Sequence, residues 1–346
     1  MVDMGRTAKG LTALGILTAG VVVGAVAERL ATRRLREGEF VGIEAAGGHS
    51  VEVVTDDGVS LHVVIHDEAP PGAPTVIFSH GYALSLDSWP GQRESLRGLA
   101  RVVLWDQRGH GASQRGTPGT TIDRLGVDLG NVIDAVAPTG DVVLVGHSMG
   151  GMTIMALADH APNLFGPRVK AVALLATSAG GIADIDLGLP RPVARLAHRI
   201  APSIGAALES QGPVSALVER ARRSSTDLGL LVTRAYAFGA TAPPDGTRLV
   251  SHLIAGTPVD VLADLLPALQ GHDKVRALHV LERCDLLIMV GDADLLTPVG
   301  HSFEIVRHTP SAELVILPGV GHMLTLEALE EVNRHVRALV ERVVHR

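Results

Sequence analysis

One serine sits where its hydroxyl can do chemistry. Residues 142–151 read VVLVGHSMGG: an apolar run, the pattern Gly146-His147-Ser148-Met149-Gly150, then a helix-like segment. A serine at the tip of a sharp strand-to-helix turn presents its hydroxyl above the carboxyl end of a sheet. Small residues at Gly146 and Gly150 let strand and helix approach closely. The first turn of the following helix offers free backbone N–H groups and the positive end of a dipole, and both favour an oxyanion formed beside Ser148. The chemistry implied is acyl transfer with Ser148 as nucleophile.

Such a nucleophile needs a base within hydrogen-bond reach, and the base needs an orienting group. The chain has sixteen histidines, so histidine alone is a weak guide. The loops that close the other apolar runs carry more information. They are Phe78-Ser79-His80-Gly81-Tyr82, Asp106-Gln107-Arg108-Gly109-His110-Gly111-Ala112-Ser113, Gly291-Asp292-Ala293-Asp294-Leu295-Leu296-Thr297-Pro298 and Pro318-Gly319-Val320-Gly321-His322. Cys284, the single cysteine, precedes an apolar run and reads as a small buried hydrophobe, not as a thiol nucleophile.

Together these separated motifs resemble the α/β-hydrolase superfamily, in its capped serine esterase, lipase and perhydrolase-like branch, over roughly residues 50–345. The resemblance implies a chain order of serine, acid, histidine. It therefore points to His322 as the base, in a loop after the last strand and before the final helix. It points to Asp294 as the acid, with Asp292 as its rival and a helix cap as the plainer role for Asp294. It also implies an oxyanion hole made by the backbone N–H groups of Tyr82 and Met149. His80 reads as a brace for its loop, and Asp106 and Arg108 as residues that fix loop geometry. Relatives of this fold that open epoxides or cleave carbon–halogen bonds carry Asp at the turn, so Ser148 argues against both chemistries.

The elements that must position these residues follow from hydrophobic patterning. Strands are expected at 51–55, 59–65, 75–79, 101–105, 142–146, 169–175, 286–290 and 313–317. Helical patterns lie near 120–137, 149–160 and 325–343. Asp56-Asp57-Gly58 marks a hairpin turn between the first two strands. The later runs are continuously apolar, as in a parallel sheet covered on both faces. The expected fold is α/β: an eight-stranded, mostly parallel α/β-hydrolase sheet with an inserted helical cap and an N-terminal apolar helix. The boundaries are 1–40 for an N-terminal segment, 41–180 and 276–346 for the two parts of the core, and 181–275 for the cap. The cap stretch offers no convincing strand and is broken by several prolines.

Residues 10–27 carry no charge and are flanked by Arg6, Lys9, Arg29, Arg33, Arg34 and Arg36. Their length suits a membrane anchor, and the arginines behind them favour a cytoplasmic catalytic domain. The competing reading is a secretory signal cleaved near Ala27. Lys+Arg 30 against Asp+Glu 37 leaves a net charge of −7, which gives no electrostatic footprint for nucleic acid. No metal-ligand cluster and no dinucleotide or phosphate-loop fingerprint stands out, so neither cofactor nor metal is expected. The expected partners are a small-molecule ester or acyl substrate and, through 10–27, a membrane. The leading function is hydrolysis of an apolar or lipid-like carboxylic ester. The alternatives are a thioesterase, perhydrolase or carbon–carbon bond hydrolase with the same triad, or a non-hydrolytic ligand-binding or cyclising protein.

Overall fold

The computed structural model describes residues 48–182, 226–240 and 242–346. Eight strands form one sheet: β1 (His49–Val54), β2 (Ser60–His66), β3 (Thr75–Ser79), β4 (Arg101–Trp105), β5 (Val142–His147), β6 (Val169–Leu175), β7 (Asp285–Gly291) and β8 (Glu313–Leu317). Their order is β1-β2-β4-β3-β5-β6-β7-β8. The β1–β2 hairpin and the β2–β4 pairing are antiparallel, and every other pairing is parallel. Each strand lies on one of the apolar runs expected from sequence. The hairpin turns where Asp56-Asp57-Gly58 predicts, with Gly58 at φ 82°, a conformation a side chain disfavours.

β3 and β5 are buried along their whole length, because helices cover both faces of a parallel sheet. α1 (Pro90–Ser95), α2 (Ile122–Val136) and α3 (Met149–His160) precede β6, and α4 (Thr226–Ala237), α5 (Pro244–Gly256) and α6 (Val259–Gln270) follow it. The last four are α7 (Leu278–Leu281), α8 (Val299–His308), α9 (Leu324–Glu327) and α10 (Leu329–Val344). On one face α2, α3, α7 and α8 supply Leu129, Ile133, Ile154, Leu157, Leu278 and Ile305 to a core with Ile77, Leu144 and Leu174. On the other, Trp89, Leu96 and the apolar stripe of α10 (Val332, Val336, Leu339, Val340, Val343) pack on Phe78, Val145 and Met289.

The pattern over 325–343 suggests one helix, but the chain leaves helical geometry at Ala328 (φ −122°, ψ 45°) and forms two. The break falls just after Glu327, whose carboxylate bonds outside the helix to the N–H groups of Gly239 and Gly321. Between β6 and β7 the described residues hold α4, α5, α6 and the short α7. The nearest approach to a strand there is an isolated bridge between Gly180 and Asp273. Among the described residues no single helix is long and apolar enough to cross a membrane. The run 10–27, the whole 1–40 segment and residues 183–225 of the 181–275 stretch lie outside the described residues.

Candidate active site

The loops after β3, β5, β7 and β8 meet above the carboxyl ends of neighbouring parallel strands, where crevices of open α/β sheets form. Ser148 stands between β5 and α3 with φ 53° and ψ −118°. For a residue with a Cβ such backbone costs on the order of 1–3 kcal/mol and persists only where the surroundings hold it. Ser148 N–H donates to Leu175 O at 2.9 Å, and Thr177 Oγ1 donates to Ser148 O at 2.7 Å. The flanking glycines are required by contact. A Cβ on Gly146 would meet Gly150 O at 2.5 Å, and one on Gly150 would overlap Ser79 O.

Asp294 and His322 come together as the sequence suggests. His322 Nδ1–H donates to Asp294 Oδ2 at 2.9 Å, and both residues are buried. The same carboxylate accepts the Thr297 hydroxyl at 2.8 Å and, through Oδ1, the N–H groups of Leu296 (2.8 Å) and Thr297 (2.9 Å). Asp294 therefore also shapes its own turn, but it does not cap the next helix as the plainer reading has it: Pro298 stands at the N-cap of α8, with no side-chain cap bond. Burial alone pushes its carboxyl up, yet the His322 ring and the hydrogen bonds from His322 and Thr297 hold it at about 2. Asp292 faces elsewhere: its carboxylate accepts Gly319 N–H at 2.6 Å and braces the turn ahead of His322.

With Nδ1 engaged, Nε2 is the His322 nitrogen left to take a proton. Ser148 and His322 line one cavity of about 260 Å³. No hydrogen bond joins them in this structure; such contacts commonly tighten only when substrate binds. Met149 opens α3, so its N–H has no intrahelical acceptor. Tyr82 N–H likewise donates no backbone hydrogen bond, and Gly81, Tyr82 and Ser148 share the cavity wall. Around these groups the wall is apolar, with Leu84, Met152, Leu296 and Met323 from the core and Ala237, Val250, Ile254, Leu266 and Leu269 from α4–α6. The Tyr82 hydroxyl donates to Leu262 O at 2.6 Å and ties the loop after β3 to α6.

Three further buried histidines brace the loops around the site. His80 Nδ1–H donates to Gly81 O (2.8 Å), and its Nε2 accepts Gln107 N–H (2.9 Å). That is the loop-bracing role read from sequence. His110 accepts Ala83 N–H through Nε2 (3.3 Å). His147 Nε2–H donates to His322 O (2.9 Å), with the two rings 4.8 Å apart. Burial pushes all three pKa values down, those of His110 and His147 to about 3. Asp106 and Arg108 also brace. Asp106 accepts the N–H groups of Leu86 (2.8 Å) and Ala112 (2.9 Å), and Arg108 pairs with Asp128 (2.6 Å) and Asp57 (3.0 Å). Sequence reasoning missed His147, Thr297 and Glu327. For His147 and Thr297 the available signal is adjacency, since each lies within three residues of an assigned site residue.

Residues 74–329 match the family model described as the alpha/beta hydrolase fold. The chain is 26% identical, over 78% of its length and 64% of the relative's, to a dihydrolipoyllysine-residue acetyltransferase component of an acetoin cleaving system from Pseudomonas putida. It is 37% identical to a bifunctional esterase/perhydrolase from Acinetobacter calcoaceticus, over 36% of this chain and 44% of that one. It thus spans less than two thirds of either relative. Among solved structures, a thermophilic esterase from Thermogutta terrifontis aligns with a TM-score of 0.66 at 23% identity, covering 85% of this chain and 99% of that one. At that identity the likeness concerns the fold.

Proposed function

Because this chain belongs to the alpha/beta hydrolase fold family, we propose that it is a serine hydrolase that cleaves apolar carboxylic esters through an acyl-enzyme. One observation carries the reading: His322, held by the buried Asp294 at 2.9 Å, lines one apolar cavity together with the strained Ser148 turn. In the proposed reaction His322 Nε2 takes the Ser148 proton as Oγ attacks the ester carbonyl. The N–H groups of Tyr82 and Met149 receive the oxyanion, and Asp294 holds the imidazole in one tautomer and stabilises its cation. His322 then protonates the leaving alcohol, and water activated by His322 releases the acid. Residues 181–275 form the cap in this reading, and α4–α6 supply about half of the apolar wall.

A second reading has one supporting observation, the likeness to a bifunctional esterase/perhydrolase. There hydrogen peroxide replaces water at the acyl-enzyme and releases a peracid. We also place residues 10–27 in the membrane with the catalytic domain on the cytoplasmic side. The support is the uncharged run and its arginine flank, and protease protection in sealed vesicles tests it.

The test of the main reading is a graded series of p-nitrophenyl esters with wild type and Ser148→Ala. Turnover is expected to disappear in the variant. Retained turnover would remove Ser148 from the mechanism. Hydrolysis of no ester by either protein would move the thioester, carbon–carbon and ligand-binding alternatives ahead.

A further inference from the structure

Glu327 follows His322 by five residues, at the end of α9, and its half-buried carboxylate is fully committed. Oε1 accepts Gly321 N–H at 2.9 Å, from the residue immediately before His322. Oε2 accepts Gly239 N–H at 2.8 Å, from the segment that leaves α4. Two backbone bonds join the same pair of segments, Met323 N–H to Ala237 O (2.9 Å) and Ala240 N–H to Gly319 O (3.1 Å). The approach is so close that a Cβ on Gly321 would overlap Gly239 N, and one on Gly239 would overlap Gly319 O. His322 O is held by His147 (2.9 Å). One backbone group each of Gly321, His322 and Met323 is therefore anchored, and Glu327 supplies the anchor before His322.

We propose that Glu327 is a positioning residue for His322, clamping the loop of the base to the segment returning from α4. This rests on His322 being the base. The clamp needs two acceptor oxygens at once, one for each N–H. A glutamine has a single carbonyl oxygen, and its NH2 would face one of the two donors. A buried N–H left without a partner is costly enough to displace a loop. A small misplacement of a catalytic group costs up to about 100-fold in rate. α4 and the His322 loop consequently move as one body, and the wall of the cavity is set in register with the base.

The test uses the full chain with Glu327→Gln and Glu327→Ala. Active sites are titrated with a small fluorophosphonate, and kcat and KM for a p-nitrophenyl ester are expressed per titrated site, so unfolded molecules drop out. The expected result for Glu327→Gln is a kcat about tenfold lower per site, KM within about twofold, and a fluorophosphonate rate constant reduced in parallel. Glu327→Ala is expected to lose about 100-fold. Wild-type kcat per titrated site in either variant would overturn the proposal, even with a lower titre, because Glu327 would then support folding alone. His322→Ala, compared per mole of folded protein, separates the two failures: if it retains wild-type turnover, the base assignment itself falls.

Discussion

Asp294→Asn separates the two roles that the carboxylate plays. Oδ1 accepts the N–H groups of Leu296 and Thr297, and Oδ2 faces His322 Nδ1 and the Thr297 hydroxyl. An asparagine placing its carbonyl oxygen at the Oδ1 position keeps both turn bonds, so the loop survives. Its NH2 then meets His322 Nδ1 and requires a lone pair there. The imidazole proton moves to Nε2, toward Ser148, and the base becomes a donor. A wrong tautomer of this kind costs about 10⁴ in kcat, or about 5.4 kcal/mol at 1.36 kcal/mol per decade. The assay is kcat on a p-nitrophenyl ester near pH 7.5, with the thermal midpoint measured in parallel. Asp292→Asn is the control. Its carboxylate accepts only Gly319 N–H among the described hydrogen bonds, so an asparagine oxygen replaces it and kcat is expected to stay within about threefold. An Asp294→Asn enzyme with kcat within tenfold of wild type and an unchanged midpoint would refute the orienting role and leave Asp294 as a turn residue. A larger loss in Asp292→Asn would transfer the role to the rival.

Stability should fall steeply below pH 6.5. His110 and His147 are pushed down to about 3 and His272 to about 4, against 6.5 for a free histidine, chiefly by burial. Between those limits the unfolded chain binds protons that the folded chain refuses, so stability is present above pH 6.5 and drains as the pH falls toward 4. Three such groups remove up to about 4 kcal/mol per pH unit, against a total of about 5–15 kcal/mol, so acid unfolding sets in near pH 5. Urea midpoints at pH 7, 6 and 5 check this, and a flat profile would mean that the rings are protonated in the fold. The Cys284 thiol, pushed up to about 11 by burial and donating to Val169 O at 2.9 Å, should resist iodoacetamide at pH 8 until denaturant is added. Labelling of the native protein within minutes would contradict its burial.

The strands were legible in the sequence because each is an apolar run of the right length bounded by turn residues. β3 and β5 are the clearest, since burial on both faces leaves them no polar alternation. The Ser148 turn was legible for a related reason: its two glycines are forced by contacts with Gly150 and Ser79 that any chain making this turn must meet. The preference for Asp294 over Asp292 rests on the spacing of the motif, and the coordinates supply its physical reason. Both follow β7, and which one faces His322 is decided by a turn closed by Leu296 and Thr297 and by a loop whose histidine lies 28 residues away. Glu327 was illegible on its own, because its two partners lie 6 and 88 residues from it and are backbone groups of glycines, which leave no chemical signature. The helix break after it hides behind an unbroken helical pattern for the same reason: a tertiary hydrogen bond overrides a local preference.

The parallel order β5-β6-β7-β8 has a temporal side. In the proposed mechanism the serine, the acid and the base are delivered by loops after three different strands, and 175 residues separate His147 from the His322 carbonyl it binds. Contacts so distant in sequence close late, because loop-closure entropy is spent before they return any stability. A chain with β3, β4 and β5 already paired would carry the strained serine with no base to activate it. If the proposed triad holds, recovery of turnover after dilution from denaturant follows the docking of the last two strands.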